Sequence, residues 1–118
     1  MSLINVKSLP KWYGHNDFIL NSYRSPNQSF KVCLQSVFRL HNESGNISTH
    51  IMGFLLFAIL FIHTMACNSF KKFDSTDKLI FSVYFVAILT CYTMSSLFHT
   101  FQCHSRQAFK FFAKYLCQ

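Results

Sequence analysis

The chain has 118 residues, of which 51% are hydrophobic and 18% aromatic, while only 13% are charged. This composition excludes a disordered or collagen-like chain and favours a membrane protein. The net charge of +7 comes from eleven basic residues in short segments beside the apolar stretches, a distribution that suits anionic lipid headgroups and excludes a nucleic-acid partner.

The N-terminal part of the chain is polar and comprises a segment over 1–29 followed by a predicted helix over 30–45. In this helix apolar side chains from Phe30 to Phe38 recur at spacings of three and four. Polar side chains share the opposite face: Lys31, Gln35 and Arg39. Gly45 offers a helix stop at the end of the segment. An amphipathic stretch of this kind predicts a short interfacial helix that anchors the chain at the membrane surface.

Two apolar segments predict transmembrane helices over 46–67 and 79–101. The first contains an apolar run from Ile51 to Cys67, and with the residues before it reaches about 20 residues, enough to cross roughly 30 Å of hydrocarbon. The second has no acidic or basic side chain except the terminal His99. A signal peptide is disfavoured, because the first apolar run begins far from the N-terminus and a second one follows.

The basic residues predict how the two spans are oriented. Eight of the eleven lie before the first span or after the second, against three in the intervening loop over 68–78. The positive-inside rule therefore places both termini, including the tail over 102–118, in the cytosol and the loop on the other side. His50 and His99 then lie near the cytosolic face. Span length does not separate the plasma membrane from internal membranes.

Several polar side chains near the end of the second span share one helical face: Tyr92, Ser95, Ser96, His99 and Cys103. A polar stripe of this kind faces protein or a cavity. Ser95 and His99 are one turn apart, a spacing that lets a hydroxyl support an imidazole that ligates a metal. Spacing alone favours the alternative, a histidine at the headgroup level that bonds to water or backbone. The five cysteines are odd in number and widely spaced, so they do not predict a disulfide framework.

Three stretches carry a resemblance: "LPKWYGHNDFILNSYR", "FKVCLQSVFRLHNESGNISTHIMGFLLF" and "SSLFHTFQCHS". They resemble successive blocks of the progestin and adipoQ receptor family, which is related to haemolysin III, and most closely its adiponectin receptor branch. The likeness runs from about Leu9 to about Lys114 in the same order and spacing. Its specific motifs are R-x-H-x-E-[ST]-G-N-I-x-T-H and S-x-x-x-H-T-x-x-C-H-S. Ser48 stands where the family usually has tryptophan.

The resemblance implies a seven-helix receptor with a zinc ion in the cytosolic half of the bundle. In the family pattern His99, with Ser95 beside it, is one ligand, and two histidines of the last helix are the others. An aspartate at the start of the third helix belongs to the same site. Members are associated with ceramidase-like amide hydrolysis, in which zinc activates a water molecule and polarises the carbonyl.

This sequence departs from that pattern at its C-terminal end. Leu116 occupies the position of the aspartate, and the two distal histidines are absent. We therefore predict a truncated part of the family bundle. A catalytic zinc site needs about three protein ligands, so no catalytic residue is assigned, and we expect this chain not to hold zinc stably by itself. Glu43 precedes the first span in a capping context and is interpreted as a helix-boundary residue.

The sequence thus predicts an all-α integral membrane protein with two transmembrane helices preceded by a short interfacial helix. Two functions remain open. One is an adiponectin receptor-like membrane receptor for a hormone or lipid signal whose ligand is unidentified. The other is a non-catalytic membrane interaction protein that associates with a full-length family member and modulates it. The expected partners are the lipid bilayer and either a full-length relative or a second copy of the chain.

Overall fold

The computed structural model describes residues 1–67, 70 and 72–116 and is mostly helical. The helices are α1 (Phe30–Ser36), α2 (Ser44–Ala66), α3 (Ser75–Phe101) and α4 (Arg106–Leu116). Before them, the two-residue strands β1 (Leu3–Ile4) and β2 (Tyr23–Arg24) pair antiparallel, with a 3-10 helix over Val6–Ser8 between them. The predicted helical class is confirmed, with this small strand pair as an addition. Residues 68, 69 and 71 of the predicted loop lie outside the described residues.

The two long helices, α2 and α3, are both apolar and long enough to cross a membrane. Their 23 and 27 residues correspond to about 35 and 40 Å at 1.5 Å per residue. Helix α3 begins at Ser75, before the predicted start at residue 79, because the Asp74 side chain caps it by accepting a hydrogen bond from the Asp77 amide at 2.7 Å.

Tight contacts join α2 and α3 along their length. A Cβ atom added at Gly53 would lie 2.5 Å from the Tyr92 ring, so only glycine allows Tyr92 to pack this closely on α2. Nearer the other end, the rings of Phe61 and Phe85 are 5.3 Å apart. The two helices therefore form an antiparallel pair in which the start of α2 lies beside the end of α3.

The predicted helix over 30–45 is shorter in the structure, because α1 ends at Ser36. The Ser36 hydroxyl donates to the Cys33 carbonyl at 2.6 Å, and His41 folds back so that its Nε2 donates to the Ser36 carbonyl at 3.1 Å. These side-chain bonds satisfy carbonyl groups that a continuing helix would use. Gly45 does not stop the helix, since it lies in the first turn of α2.

The N-terminal segment is a folded cap over the end of α3. Its core consists of buried side chains from three separate stretches: Tyr13, Tyr23, Cys33 and Cys103. Helix α4 folds back beside this cap, where the Phe109 ring lies 6.1 Å from Trp12 and 5.7 Å from Phe98. The sequence did not predict this cap, because its apolar residues are scattered and follow no helical or strand period.

Buried Arg24 joins the cap to the end of α3. Its guanidinium donates to the Thr100 carbonyl at 2.9 Å, to the His99 carbonyl, and to the Ser36 hydroxyl at 2.9 Å. A cation at this position compensates the unpaired carbonyl groups at the C-terminal end of a helix. Arg24 therefore ties β2, α1 and α3 together around one end of the helix pair.

Candidate functional site

The candidate site lies where the start of α2 meets the last turn of α3. The Nδ1 atom of His99 lies 2.8 Å from Oε2 of Glu43, and both side chains are largely buried. Asn46 donates to the same carboxylate oxygen at 2.8 Å, and Asn42 donates to Oε1 at 2.7 Å. Both oxygens of the carboxylate are therefore hydrogen-bonded.

These hydrogen bonds keep Glu43 ionised. Burial of the carboxyl group acts to raise its pKa, but the hydrogen bonds from His99 and Asn46 outweigh burial and lower the pKa to about 2. The Gln102 side chain, which lines the same cleft, acts in the same direction. A permanent carboxylate at this position accepts the Nδ1 proton of His99, so Nε2 carries the lone pair whenever the ring has one proton.

A second histidine, His50, packs against His99 from the first turns of α2. The two ring centroids are 5.5 Å apart and the ring planes are 21° from parallel. The Ser95 hydroxyl lies 3.1 Å from His50 Nε2, whereas His50 Nδ1 is buried with no hydrogen-bond partner among the described residues. The structure thus places Ser95, the predicted support of His99, against His50, while Glu43 contacts His99.

The side chains of the predicted polar stripe of α3 contact different parts of the chain. Tyr92 packs against Gly53 of α2, and the Ser96 hydroxyl donates to the Tyr92 carbonyl of its own helix at 2.8 Å. Cys103 belongs to the core of the cap, where it contacts Cys33. Four members of the stripe thus contact other parts of the chain, and Ser96 bonds to its own helix, so most of the stripe faces protein, as the sequence predicted.

An open cleft of about 240 Å³ adjoins the Glu43 and His99 pair. Its lining combines polar groups with two aromatic rings: Gly14, His15, Asn16, Glu43, Asn46, Phe98, His99, Gln102 and Phe109. Gln102 is 3% exposed, and its amide nitrogen has no hydrogen-bond partner within the described part of the chain. The Glu43 and His99 pair thus adjoins a space that is also lined by an unsatisfied hydrogen-bond donor.

The surroundings of His99 are those of a histidine that serves as one ligand of a metal ion. A metal-ligating histidine commonly donates its other ring N–H to a carboxylate, which fixes the tautomer and the ring orientation. Glu43 has this relation to His99, and it is a role that the sequence interpretation missed. Within residues 1–67, 70 and 72–116, no group of three or more His, Cys, Asp or Glu side chains is placed to hold a metal ion.

One sequence signal could have identified Glu43. It lies just before the first span and His99 lies at the end of the second, so in an antiparallel pair of helices both fall at the same membrane depth. Spacing along the chain hides this, since 56 positions separate the two residues. The pattern that identifies such a pair is therefore equal membrane depth on two neighbouring helices, and periodicity within one helix does not show it.

Comparison with known proteins gives matches to one family model and to several curated relatives that agree with one another. The family model described as Haemolysin-III related matches residues 38–115. The adiponectin receptor protein of Drosophila melanogaster is 36% identical over 110 residues, which cover 93% of this chain and 24% of that protein. Progestin and adipoQ receptor-like protein 1 of Caenorhabditis elegans is 34% identical over 116 residues, which cover 95% and 26%.

A third relative is progestin and adipoQ receptor family member 4 of Mus musculus, which is 38% identical over 102 residues. The matched part covers 86% of this chain and 36% of the mouse protein. The chain thus spans about a quarter to a third of the length of these curated relatives. The likeness includes the segment of Glu43 and the segment of His99, since both lie within the residues that the family model matches.

Proposed function

Because the chain belongs to the Haemolysin-III-related family of adiponectin receptor and progestin and adipoQ receptor proteins, we propose that it is a membrane receptor component for a hormone or lipid signal. Two apolar helices of membrane-spanning length make it an integral membrane protein. In the proposed site His99 contributes one ligand to a zinc ion, and Glu43 positions that ligand.

The observation that supports this proposal is the 2.8 Å contact between His99 Nδ1 and Glu43 Oε2. Zinc bound at such a site polarises a carbonyl group and activates water. At this site the residues of the chain bind and orient the metal ligand. The ionised carboxylate of Glu43 holds the Nδ1 proton of His99 and fixes the ring, which leaves Nε2 for the metal.

We propose that the described residues do not complete a hydrolytic centre by themselves. A catalytic zinc site takes about three protein ligands and one open position. His99 is one imidazole in this arrangement, and His50 is engaged by the Ser95 hydroxyl through its Nε2. Ceramide-type amide hydrolysis therefore needs ligands beyond these residues, from further chain or from a partner.

We also propose that the site lies on the cytosolic side of the membrane. Eight of the eleven basic residues lie outside the loop between the spans, so the positive-inside rule places both ends of the chain in the cytosol. Glu43 precedes α2 and His99 lies in the last turn of α3, and both are therefore at this end of the helix pair.

The test measures zinc binding by the purified chain in detergent. We expect well under one zinc per chain after dialysis and no ceramide hydrolysis above background. In a direct zinc titration, weak binding should be lost in His99→Ala and reduced roughly 10- to 100-fold in Glu43→Gln. His63→Ala, at the other end of α2, is the matched control. Zinc binding that His99→Ala leaves unchanged would contradict the proposal.

A second candidate function is a non-catalytic interaction protein that associates with a full-length family member. An open groove of about 240 Å³ between α2 and α3 favours it. Small polar and large apolar side chains of both helices line this groove: Ile51, Phe54, Leu55, Thr93, Ser96 and Leu97. A groove of this shape accommodates a further helix, since close packing and interhelical hydrogen bonds drive helix association in membranes.

A further inference from the structure

Two cysteines from distant parts of the chain meet in the core of the cap. Cys33 of α1 and Cys103, which follows α3, are both fully buried, and their Sγ atoms are 3.4 Å apart. Both are free thiols. A disulfide has an S–S distance of about 2.05 Å, so closure requires the sulfurs to approach by about 1.4 Å.

The surroundings of the pair favour a thiolate on one of the two sulfurs. The hydrogen bond from Cys33 lowers the pKa of the Cys103 thiol against the effect of burial, and the charge of Arg24 acts in the same direction. The same hydrogen bond and burial raise the pKa of Cys33. No carboxylate forms an ion pair with buried Arg24 in the described part of the chain. These effects favour Cys103 as the nucleophile and Cys33 as the sulfur that keeps its proton.

We propose that Cys33 and Cys103 are a thiol oxidation site that forms a reversible disulfide, with hydrogen peroxide as the oxidant. Both sulfurs are enclosed by the cap. This enclosure requires a small uncharged oxidant and excludes a bulky charged disulfide such as oxidised glutathione. This separates the pair from Cys67 and Cys91, which are exposed.

The reaction has two steps. The Cys103 sulfur attacks one oxygen of hydrogen peroxide, so that an S–O bond forms, the O–O bond breaks, and the departing hydroxide takes up the proton that the Cys103 thiol released and becomes water. The Cys33 sulfur then attacks the Cys103 sulfur, so that an S–S bond forms and the S–O bond breaks. That hydroxide leaves as water with the Cys33 proton. The two sulfurs together lose two electrons, and one peroxide becomes two waters.

The disulfide would fasten α1 to the end of α3 beside the candidate site. The backbone of Gln28 already holds the same junction. Its N–H donates to the Cys103 carbonyl at 3.2 Å, and its carbonyl accepts from His104 Nδ1 at 2.6 Å. The chain from α1 leads within a few residues to Glu43. Oxidation would therefore restrict the segment that carries the carboxylate partner of His99.

The test uses the full chain in detergent, treated with hydrogen peroxide and then alkylated with N-ethylmaleimide. Before alkylation the intact mass should be lower by two hydrogen masses, and peptide mapping of the alkylated chain should identify one cross-linked peptide pair containing Cys33 and Cys103. Dithiothreitol should restore both free thiols. The oxidised chain should also unfold at a temperature several degrees higher, because the cross-link constrains the unfolded state.

Cysteine variants identify which sulfur atoms form the disulfide. Cys33→Ser and Cys103→Ser should each abolish the cross-link, whereas the double change Cys67→Ser and Cys91→Ser should leave it intact. A cross-link through Cys67, Cys91 or Cys117, or oxidation of Cys103 to sulfinic acid while Cys33 remains a thiol, would overturn the proposal. Mapping of the unaltered chain decides the outcome even if a serine variant fails to fold.

Discussion

Oε2 of Glu43 and Nδ1 of His99 are 2.8 Å apart, although 56 positions separate the two residues. Glu43 stands immediately before one membrane-spanning helix and His99 in the last turn of the other. Their contact joins the two helices at one end, next to the Arg24 guanidinium that covers the carbonyl groups of α3. The local stability of this end and the readiness of His99 to act as a ligand therefore depend on the same carboxylate.

Acid should weaken this end as the Glu43 carboxylate gains a proton. Its pKa is lowered from 4.5 to about 2, so the unfolded chain binds this proton at a higher pH than the folded chain. The stabilisation is complete above about pH 4.5 and is lost as the pH falls towards 2, with a magnitude on the order of 3 kcal/mol. Thermal unfolding in detergent should show this loss in the native chain.

Glu43→Gln should remove that pH dependence, because the variant has no carboxylate to protonate. Asp17→Asn is the matched control, since Asp17 is 90% exposed and its ion pair with His15 is at the surface. If the native chain and Glu43→Gln lose stability in parallel below pH 4.5, the carboxylate of Glu43 does not have the assigned role.

His41 should produce a separate acid transition at higher pH. Burial, together with the nearby charge of Arg24, lowers its pKa from 6.5 to about 4. Both ring nitrogens are already used, because Nε2 donates to the Ser36 carbonyl and Nδ1 accepts from the Glu43 amide at 3.0 Å. Protonation therefore breaks a bond in the folded chain, and stability should fall as the pH drops from about 6.5 to 4.

His41→Gln should flatten the stability profile between pH 6.5 and 4 while the Glu43 transition below pH 4.5 remains. The measurement is again the unfolding midpoint at a series of pH values, with His63→Gln as the control. An unchanged slope in this window for His41→Gln would assign the transition to another group.

Gly53→Ala should destabilise the helix pair, since the new Cβ atom would lie 2.5 Å from the Tyr92 ring. The cost of such overpacking is about 1 to 3 kcal/mol. Gly45→Ala is the matched control, because nothing lies within 4 Å of its added Cβ atom. We expect Tyr92→Ala combined with Gly53→Ala to be less harmful than the sum of the two single changes. Strict additivity would show that this contact does not join the helices.

The proposed orientation predicts that three N-x-[ST] sequons stay unmodified in cells. These begin at Asn27 and Asn42, which precede the first span, and at Asn46, which lies in its first turn. Glycosidase treatment should leave the electrophoretic mobility of the expressed chain unchanged, with a secreted glycoprotein from the same cells as a positive control. A mobility shift traced to any of the three asparagines would reverse the orientation and move the site away from the cytosol.

The interaction hypothesis predicts co-purification with a tagged full-length relative. Thr93→Phe and Ser96→Phe should reduce recovery several-fold, because the larger rings fill the groove between α2 and α3. Val83→Phe is the control, since Val83 is exposed on α3 but does not line that groove. Equal recovery of all three variants would exclude the groove as the contact surface.

Local composition was enough to predict the two spanning helices and the helical class. An apolar run of spanning length has few alternatives in a membrane, where each backbone polar group must find its partner within a helix or a closed barrel. The motif around Glu43 and the motif around His99 likewise pointed to the family, which the match over residues 38–115 bears out. Both inferences depend on residues that are close together along the chain.

The partners of these residues were decided only by the tertiary structure. Spacing paired Ser95 with His99 within one helix, whereas the folded chain pairs Ser95 with His50 and His99 with Glu43. The meeting of Cys33 and Cys103 was equally invisible, because 70 positions separate them. Periodicity specifies which face of a helix a side chain occupies. The depth and rotation at which two helices pack determine what that face meets, and these depend on close contacts such as Gly53 against Tyr92.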